Sequence, residues 1–244
     1  AGVVDILCEN AAAAVAKARE LVSMLPLNNL SVSPVCEGTA SGTAVDPAMD
    51  SIDLIKAVCD ADTVVELKAG YGDAACTALA SLGGGTVGVV YANGQAGRKS
   101  NSKIADFVRF CDCFNLPVIT FVNVDGFCTC GGVKTESAKV SAKLARAYAD
   151  ATTAKITVYT GSAIGGAAIA FGCADLRIAW PTAVISALAP LTAVEFFWHD
   201  KLKGADDAAK RREELAAEYA DTEASPYEAA KASMVEEIID PANT

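Results

Sequence analysis

Histidine occurs once in the 244 residues, at His199, so any Ser-His-Asp relay would have to run through that single ring. It sits in EFFWHDKL at the expected end of a helix, where an imidazole commonly serves as a cap. No Gly-x-Ser-x-Gly elbow accompanies it, and Ser162 has no evident base. Long apolar runs are missing too. None reaches the roughly 18 residues of a membrane-spanning helix, and Lys17, Arg19 and Glu20 interrupt the first candidate helix, which argues against a signal peptide and against membrane insertion. Positive charge is scarce: 20 Lys and Arg stand against 30 Asp and Glu, a net −10, so the concentrated basic surface that nucleic acid demands is excluded. An initiator Met is absent as well, as expected of a chain that is processed or cut from a longer one.

Glycine-rich phosphate loops are ruled out by context. The glycines of GGGTVGVV, Gly83 to Val90, have no Gly-Lys-Ser/Thr after them and precede a strand instead of opening a helix, so a hairpin turn is expected. The nine cysteines are odd in number and lack the dense spacing of a secreted scaffold, which favours a reducing, cytoplasmic setting. Cys111-x-Cys113 and Cys128-x-Cys130 are one residue apart, closer than zinc or iron–sulfur ligands usually stand, so no metal is assigned. Cys111 and Cys113 fall in FVRFCDCFNLP, which reads as the end of a buried helix where cysteine packs as a small apolar residue.

What is present is a large core, with 52% hydrophobic residues and a mean hydropathy of +0.30. Helix formers run from Ala11 to Leu25, with Asn10 as a candidate cap and Pro26 as a stop, which predicts a helical arm. Residues 31–47 are rich in Ser, Pro, Gly and Thr and read as a linker, so the chain divides into an arm and linker over 1–47 and a domain over 48–244. Beyond it helix-like and strand-like stretches alternate: SIDLIKAVCD, TVVELKA, TVGVVYA, NSKIADFVRFCDCFN, PVITFVNV, ESAKVSAKLARAYADA, KITVYT, a helix from Gly165, DLRIAW and AVISAL. That alternation predicts an α/β fold with buried strands. The charged, alanine-rich tail from His199 reads as helical, with Leu215, Tyr219, Tyr227, Ala230, Met234 and Ile238 as apolar stripes for packing within the chain or against a second subunit.

The most informative stretch is KITVYTGSAIGGAAIAF, Lys155 to Phe171, a β-branched strand running through a glycine pair into a helix of small residues. Main-chain N–H groups at Gly165, Gly166 and Ala167 would lie unpaired at a helix start, where the helix dipole favours negative charge. The same small residues also suit tight helix–sheet packing. A second turn is expected at Val124-Asp125-Gly126-Phe127, and in a parallel sheet the two turns would share one crevice. Asp125 is a candidate general base, although a carboxylate before Gly more often serves local hydrogen bonds. Arg98, Lys99 and Lys103 form a short basic cluster on a polar loop, able to meet the phosphates of a ligand such as coenzyme A, or simply solvated.

Several segments together resemble the carboxyltransferase subunits of biotin-dependent acyl-CoA carboxylases, of the propionyl-CoA and acetyl-CoA carboxylase β type, a family that also includes the α subunits of sodium-pumping acyl-CoA decarboxylases. KIADFVRFCDCFNLPVITFVNVDGF, KITVYTGSAIGGAAIAF, AWPTAVISALAPLTAVEFFW, ASPYEAAKASMVEEIIDPANT and ARELVSMLPLNN carry the resemblance, which corresponds to the carboxyl-terminal half of a typical subunit. It implies a crotonase-like fold and a carboxyl group moved between carboxybiotin on a separate carrier protein and an acyl-CoA. It also implies an amino-terminal half elsewhere, with the active site across an oligomer interface. By the same resemblance Gly166 and Ala167 would form the oxyanion hole for the biotin ureido carbonyl, Ile164, Gly165, Gly126 and Phe127 would contact biotin, and Ala168 and Ile169 would border the acyl substrate. The chain departs from the family in having Asp125 in place of proline, Ile164 in place of an aromatic, and a shorter loop after Phe171. The other readings are a crotonase-type hydratase or isomerase without biotin, for which no Glu or Asp pair stands near Gly165, and a non-catalytic assembly module.

Overall fold

A computed structural model describes residues 2–127, 134–203 and 207–244, with the side chains of 134–137 left aside. Asn10 caps the first helix, α1 (Ala11–Met24), by accepting from the Ala13 amide at 2.9 Å. No residue of α1 is buried, and only Leu21, Met24 and Leu25 at its end lean on the core. Asp50 starts α2 (Ser51–Val58) in the same way, accepting from the amides of Ile52 and Asp53. After it come β1 (Val65–Leu67), β2 (Ala75–Leu82), β3 (Gly85–Ala96), α3 (Arg98–Cys113), β4 (Val118–Phe127), α4 (Lys134–Asp150), β5 (Lys155–Ile164), α5 (Gly166–Phe171), β6 (Leu176–Ala179) and β7 (Val184–Ser186). The chain ends in α6 (Pro190–Phe197), α7 (His199–Leu202), α8 (Ala208–Asp221), α9 (Pro226–Lys231) and β8 (Glu237–Ile238).

The strands form one sheet in the order β1-β2-β3-β4-β5-β6-β8, with β7 also paired to β5. β1, β2 and β3 are antiparallel; from β3 onward the strands are parallel. Glycines at positive φ, Gly83 and Gly84, make the turn from β2 to β3, so the hairpin expected of GGGTVGVV is present. A Cβ on Gly84 would stand 1.9 Å from the Cys36 carbonyl oxygen, which forbids any other residue in this conformation. Asp60 secures the turn: its carboxylate accepts from Gly84 N (2.8 Å), Gly83 N (3.2 Å) and Ser81 Oγ (2.7 Å). Those donors hold the carboxyl below its ordinary range.

Both sheet faces are covered, and alternate residues serve opposite layers. Ala75 and Leu79 of β2, Val90 and Ala92 of β3, and Val118 and Val122 of β4 join Ile104, Val108, Leu144 and Tyr148 of α3 and α4. Their neighbours Ala78, Val89, Tyr91, Ile119 and Phe121 pack with Leu54 and Ile55 of α2 and with Trp180 on the other face. The buried hydroxyl of Tyr148 lies 2.7 Å from that of Thr120 and ties α4 to β4. A third cluster, with Ala193, Val194, Leu215 and Tyr219, holds α6 and α8 together as a satellite.

Three expectations change. β2 was not anticipated, because ACTALASL is made of small residues buried on both faces and shows no alternation. The tail is not wholly helical, since β8 adds itself parallel to β6. Within it Leu215 and Tyr219 pack inside the chain, while Tyr227 and Met234 remain exposed. Finally, Arg98, Lys99 and Lys103 lie in α3 and not on a loop, and Lys103 is only 2% exposed. Its ammonium donates to the carbonyls of Lys68 (2.9 Å) and Ala75 (2.8 Å), and burial lowers its pKa.

Candidate active site

Parallel pairing brings the carboxyl ends of β3, β4 and β5 to one edge of the sheet. Each end carries a glycine at positive φ: Gly94 (69°), Gly126 (114°) and Gly165 (63°). At Gly165 the chain leaves β5 and turns directly into α5 with φ 63° and ψ −131°, angles that a side chain would strain. Its own N–H is spent on the Ser186 carbonyl at 2.8 Å, the end of the β7 ladder. The next amides, of Gly166, Ala167 and Ala168, open the helix and have no intrahelical acceptor; no side chain caps them. Gly166 is exposed, whereas the methyls of Ala167 and Ala168 are buried in the core. What this turn presents at the surface is therefore the main chain of Gly166, while Ala167, at 0% exposed, is enclosed behind it.

The second glycine site lies against the first. A Cβ built on Gly166 would meet the Phe127 ring at 3.1 and 3.3 Å, so that ring stands beside the helix opening. A Cβ on Gly126 would lie 3.8 Å from the Ile164 carbonyl oxygen. The expected turn at Val124-Asp125-Gly126-Phe127 is instead the last stretch of β4, with Val124 opposite Ala163 and Phe127 opposite Ala96. The strand persists because irregular register on both neighbours absorbs the bend. Asp125 is exposed on it. Ile164 is buried, and Ile169, at 72% exposed, is the side chain of α5 most open to solvent.

Other candidates lie elsewhere. His199 is exposed and opens α7, just past the end of α6, in the satellite of α6, α7 and α8. Cys111 is fully buried, its thiol pushed up by burial, and its Sγ occupies the space that a Cβ on Gly88 would enter at 2.4 Å. It packs as a small apolar group, as its sequence setting suggested. Cys113 is exposed, and Cys128 and Cys130 lie outside the described residues. Among the described residues no group of three or more His, Cys, Asp or Glu is placed to hold a metal ion. Nor is any helix among them long and apolar enough to cross a membrane.

One residue at these strand ends escaped sequence reasoning. Asn123 of β4 faces Asn93 of β3, to whose Oδ1 its Nδ2 donates at 3.0 Å, and its own Oδ1 accepts from the Ser162 amide at 2.9 Å. The only signal was an amide side chain interrupting an apolar strand, VITFVNV.

A mixed sheet with parallel strand ends and a helix-opening Gly-Gly-Ala turn defines a crotonase-like α/β domain. The structure superposes with a TM-score of 0.86 at 32% identity on the transcarboxylase 12S subunit, solved as a hexamer with methylmalonyl-CoA and methylmalonic acid bound, covering 98% of this chain and 50% of that one. The chain belongs to the carboxyl transferase domain family, whose model matches residues 1–244. Its relatives include the carboxyltransferase subunit of propionyl-CoA carboxylase from Haloferax mediterranei, 34% identical over 93% of this chain and 48% of that protein. Another is methylmalonyl-CoA decarboxylase subunit alpha from Propionigenium modestum, 32% identical over 98% of this chain and 51% of that protein. The chain spans about half the length of the curated relatives it matches.

Proposed function

We propose that this chain is the biotin-facing half of an acyl-CoA carboxyltransferase, moving a carboxyl group between carboxybiotin on a separate carrier protein and an acyl-CoA of the acetyl or propionyl type. The observation that carries the reading is the Gly165–Ala167 turn, with its uncapped amides beside the Phe127 ring. The residues suit a biotin head: Gly166 has no side chain to block its amide, and Phe127 supplies an apolar wall.

Biotin would supply there a transferable carboxyl group on its ureido nitrogen and a ureido oxygen able to carry negative charge. Gly166 and Ala167 would donate their N–H groups to that oxygen. Being main chain at the start of a helix, they need no reorganisation as charge develops. One such donor is worth about 2.7–4 kcal/mol in transition-state stabilisation. Ile164, Gly165, Gly126 and Phe127 would seat the bicyclic ring, Ile164 and Gly165 through their main chain. Ala168 and Ile169 would border the acyl group, of which only Ile169 presents an exposed side chain. The acceptor carbon would exchange a C–H bond for the new C–C bond, its proton ending on the ureido nitrogen that gives up the carboxyl group, and holding acceptor carbon and carboxyl group in contact supplies much of the remaining acceleration.

Half an active site requires its complement. The partners in this reading are an amino-terminal carboxyltransferase half, a biotin carrier protein and further copies of this chain in an oligomer, with the arm and linker of 1–47 joining the halves. A reducing cytoplasmic compartment suits it. The test is carboxyl transfer from a biotinylated carrier to propionyl-CoA by the chain completed with its other half. A correctly folded, assembled complex that transfers nothing overturns the reading. The relative from Propionigenium modestum favours a second reading, in which the same half-reaction runs in the decarboxylating direction; release of CO2 from the carrier on addition of a membrane pump subunit would select it.

A further inference from the structure

The regular ladder between β4 and β5 stops at Val122 opposite Tyr159 and resumes at Val124 opposite Ala163. Thr160, Gly161 and Ser162 therefore face the single residue Asn123. At the same place β5 changes its partner on the other edge, pairing β6 through Ile156–Tyr159 and β7 through Ser162–Ile164. The bulge thus redirects the last residues of β5, and the Gly165 turn follows immediately.

The geometry points to Asn123 as the positioning residue that sets this bulge and, through it, the main-chain donors of Gly166 and Ala167; the inference rests on the carboxyltransferase reading of that turn. Its Oδ1 takes the Ser162 amide that the interrupted ladder leaves without a backbone partner. Thr160 Oγ1 donates to the Val122 carbonyl at 3.2 Å on the other side of the bulge. Gly161 lies directly over the Asn123 amide, so close that a Cβ there would stand 2.2 Å from Oδ1 and 2.7 Å from Cγ. Asn93 fixes the orientation of that amide by accepting from Nδ2, leaving Oδ1 turned to Ser162. A hydrogen-bond acceptor at position 123 and the lack of a side chain at 161 are the two requirements of the clamp.

The test compares Asn123→Ala, Asn123→Asp and Gly166→Val in the completed carboxyltransferase complex, below the melting temperature of each. Asn123→Ala should lower kcat about 100-fold, the order of loss expected for a reactant displaced by about 1 Å, with KM for acyl-CoA unchanged. Asn123→Asp keeps an acceptor for the Ser162 amide, can receive the turned amide of Asn93, and should restore kcat to within about threefold of the parent. Hydrogen exchange on the full chain gives an independent readout: the Ser162 amide should exchange at least tenfold faster in Asn123→Ala and be protected again in Asn123→Asp. Undiminished kcat in Asn123→Ala, a loss confined to KM, equal losses in the Ala and Asp variants, or an unaltered Ser162 amide each overturn the inference. Gly166→Val separates the two levels. If it loses turnover while Asn123→Ala does not, the positioning role alone fails; if it loses none, the underlying reading of the turn fails.

Discussion

Replacing Gly166 by alanine and then by valine grades the access of a ligand to the α5 amides while leaving the domain standing. Gly166 has ordinary helical backbone angles, so a side chain there carries no conformational penalty. The new Cβ meets the Phe127 ring at 3.1 and 3.3 Å, a contact that a partly exposed ring at a strand end can relieve by shifting a few tenths of an ångström. Against that strain stands the helix preference for alanine over glycine, about 0.8–1 kcal/mol in a helix interior and less at its first position. The two nearly cancel, so Gly166→Ala should melt within about 3 °C of the parent, using about 2–4 °C per kcal/mol for a chain of this size. Valine adds two methyls over the amide without removing it. Denying the oxyanion one donor costs about 2.7–4 kcal/mol, so kcat should fall about 100- to 1,000-fold in Gly166→Val and less in Gly166→Ala. The assay is carboxyl transfer to propionyl-CoA by the assembled complex, with thermal melting and sedimentation on the same preparations. A valine variant that assembles, melts near the parent and turns over at the parental rate refutes the oxyanion role. If its oligomeric state changes while turnover persists, the glycine is there for assembly.

Asp60→Ala removes the acceptor shared by Ser81, Gly83 and Gly84 and should cost about 2–3 kcal/mol, read as a drop of about 5–10 °C in melting temperature. Because the folded carboxyl lies below its unfolded value, near 3.9, its stabilisation is complete above that value and disappears as pH falls through the folded pKa; the stability gap between parent and variant in chemical denaturation should hold at neutral pH and shrink as pH is lowered below about 4. Tyr148→Phe leaves the Thr120 hydroxyl without its buried partner and should destabilise by about 1–3 kcal/mol; a double change with Thr120→Val that recovers part of the loss would confirm the pairing, and strictly additive losses would contradict it. Among the described cysteines, alkylation at pH 8 followed by peptide mass mapping should label exposed Cys36 and Cys113 first. Cys59 and Cys76, whose thiols burial raises to about 12, and the more deeply buried Cys111 should react only on unfolding.

Legibility in the sequence followed burial and local chemistry. PVITFVNV and KITVYT announced themselves because β-branched residues crowd a strand covered on both faces, and the helix opening at Gly165 was readable because a glycine pair ends the strand before small helical residues, although those residues suited packing as well as a site. ACTALASL stayed hidden for the opposite reason: alanine and serine fit beneath α2 and α3, and nothing in their periodicity separates a strand from a helix. Lys103 misled because its charge suggested solvent, while its ammonium is held by two carbonyls from residues 35 and 28 positions away. Asp125 misled because Asp-Gly signals a turn, yet the neighbouring strands keep it in the sheet. The companionship of Gly166 with Phe127, and the clamp of Asn123 on Ser162, depend on strands meeting across 39 residues or more of sequence and on a bulge that no local pattern encodes.

On the proposed reading the working groups are amides of the peptide chain, and such a site is blind to the usual genetic scan. Trimming side chains to alanine does nothing at Ala167, which already is one, and at Gly166 it adds atoms where the experiment means to subtract them. The group of interest can be deleted only by chemical synthesis, with the amide of residue 166 or 167 exchanged for an ester that keeps the shape and loses the hydrogen. What such a turn conserves is the absence of side chains at 161, 165 and 166, because the path of the main chain depends on that space staying empty.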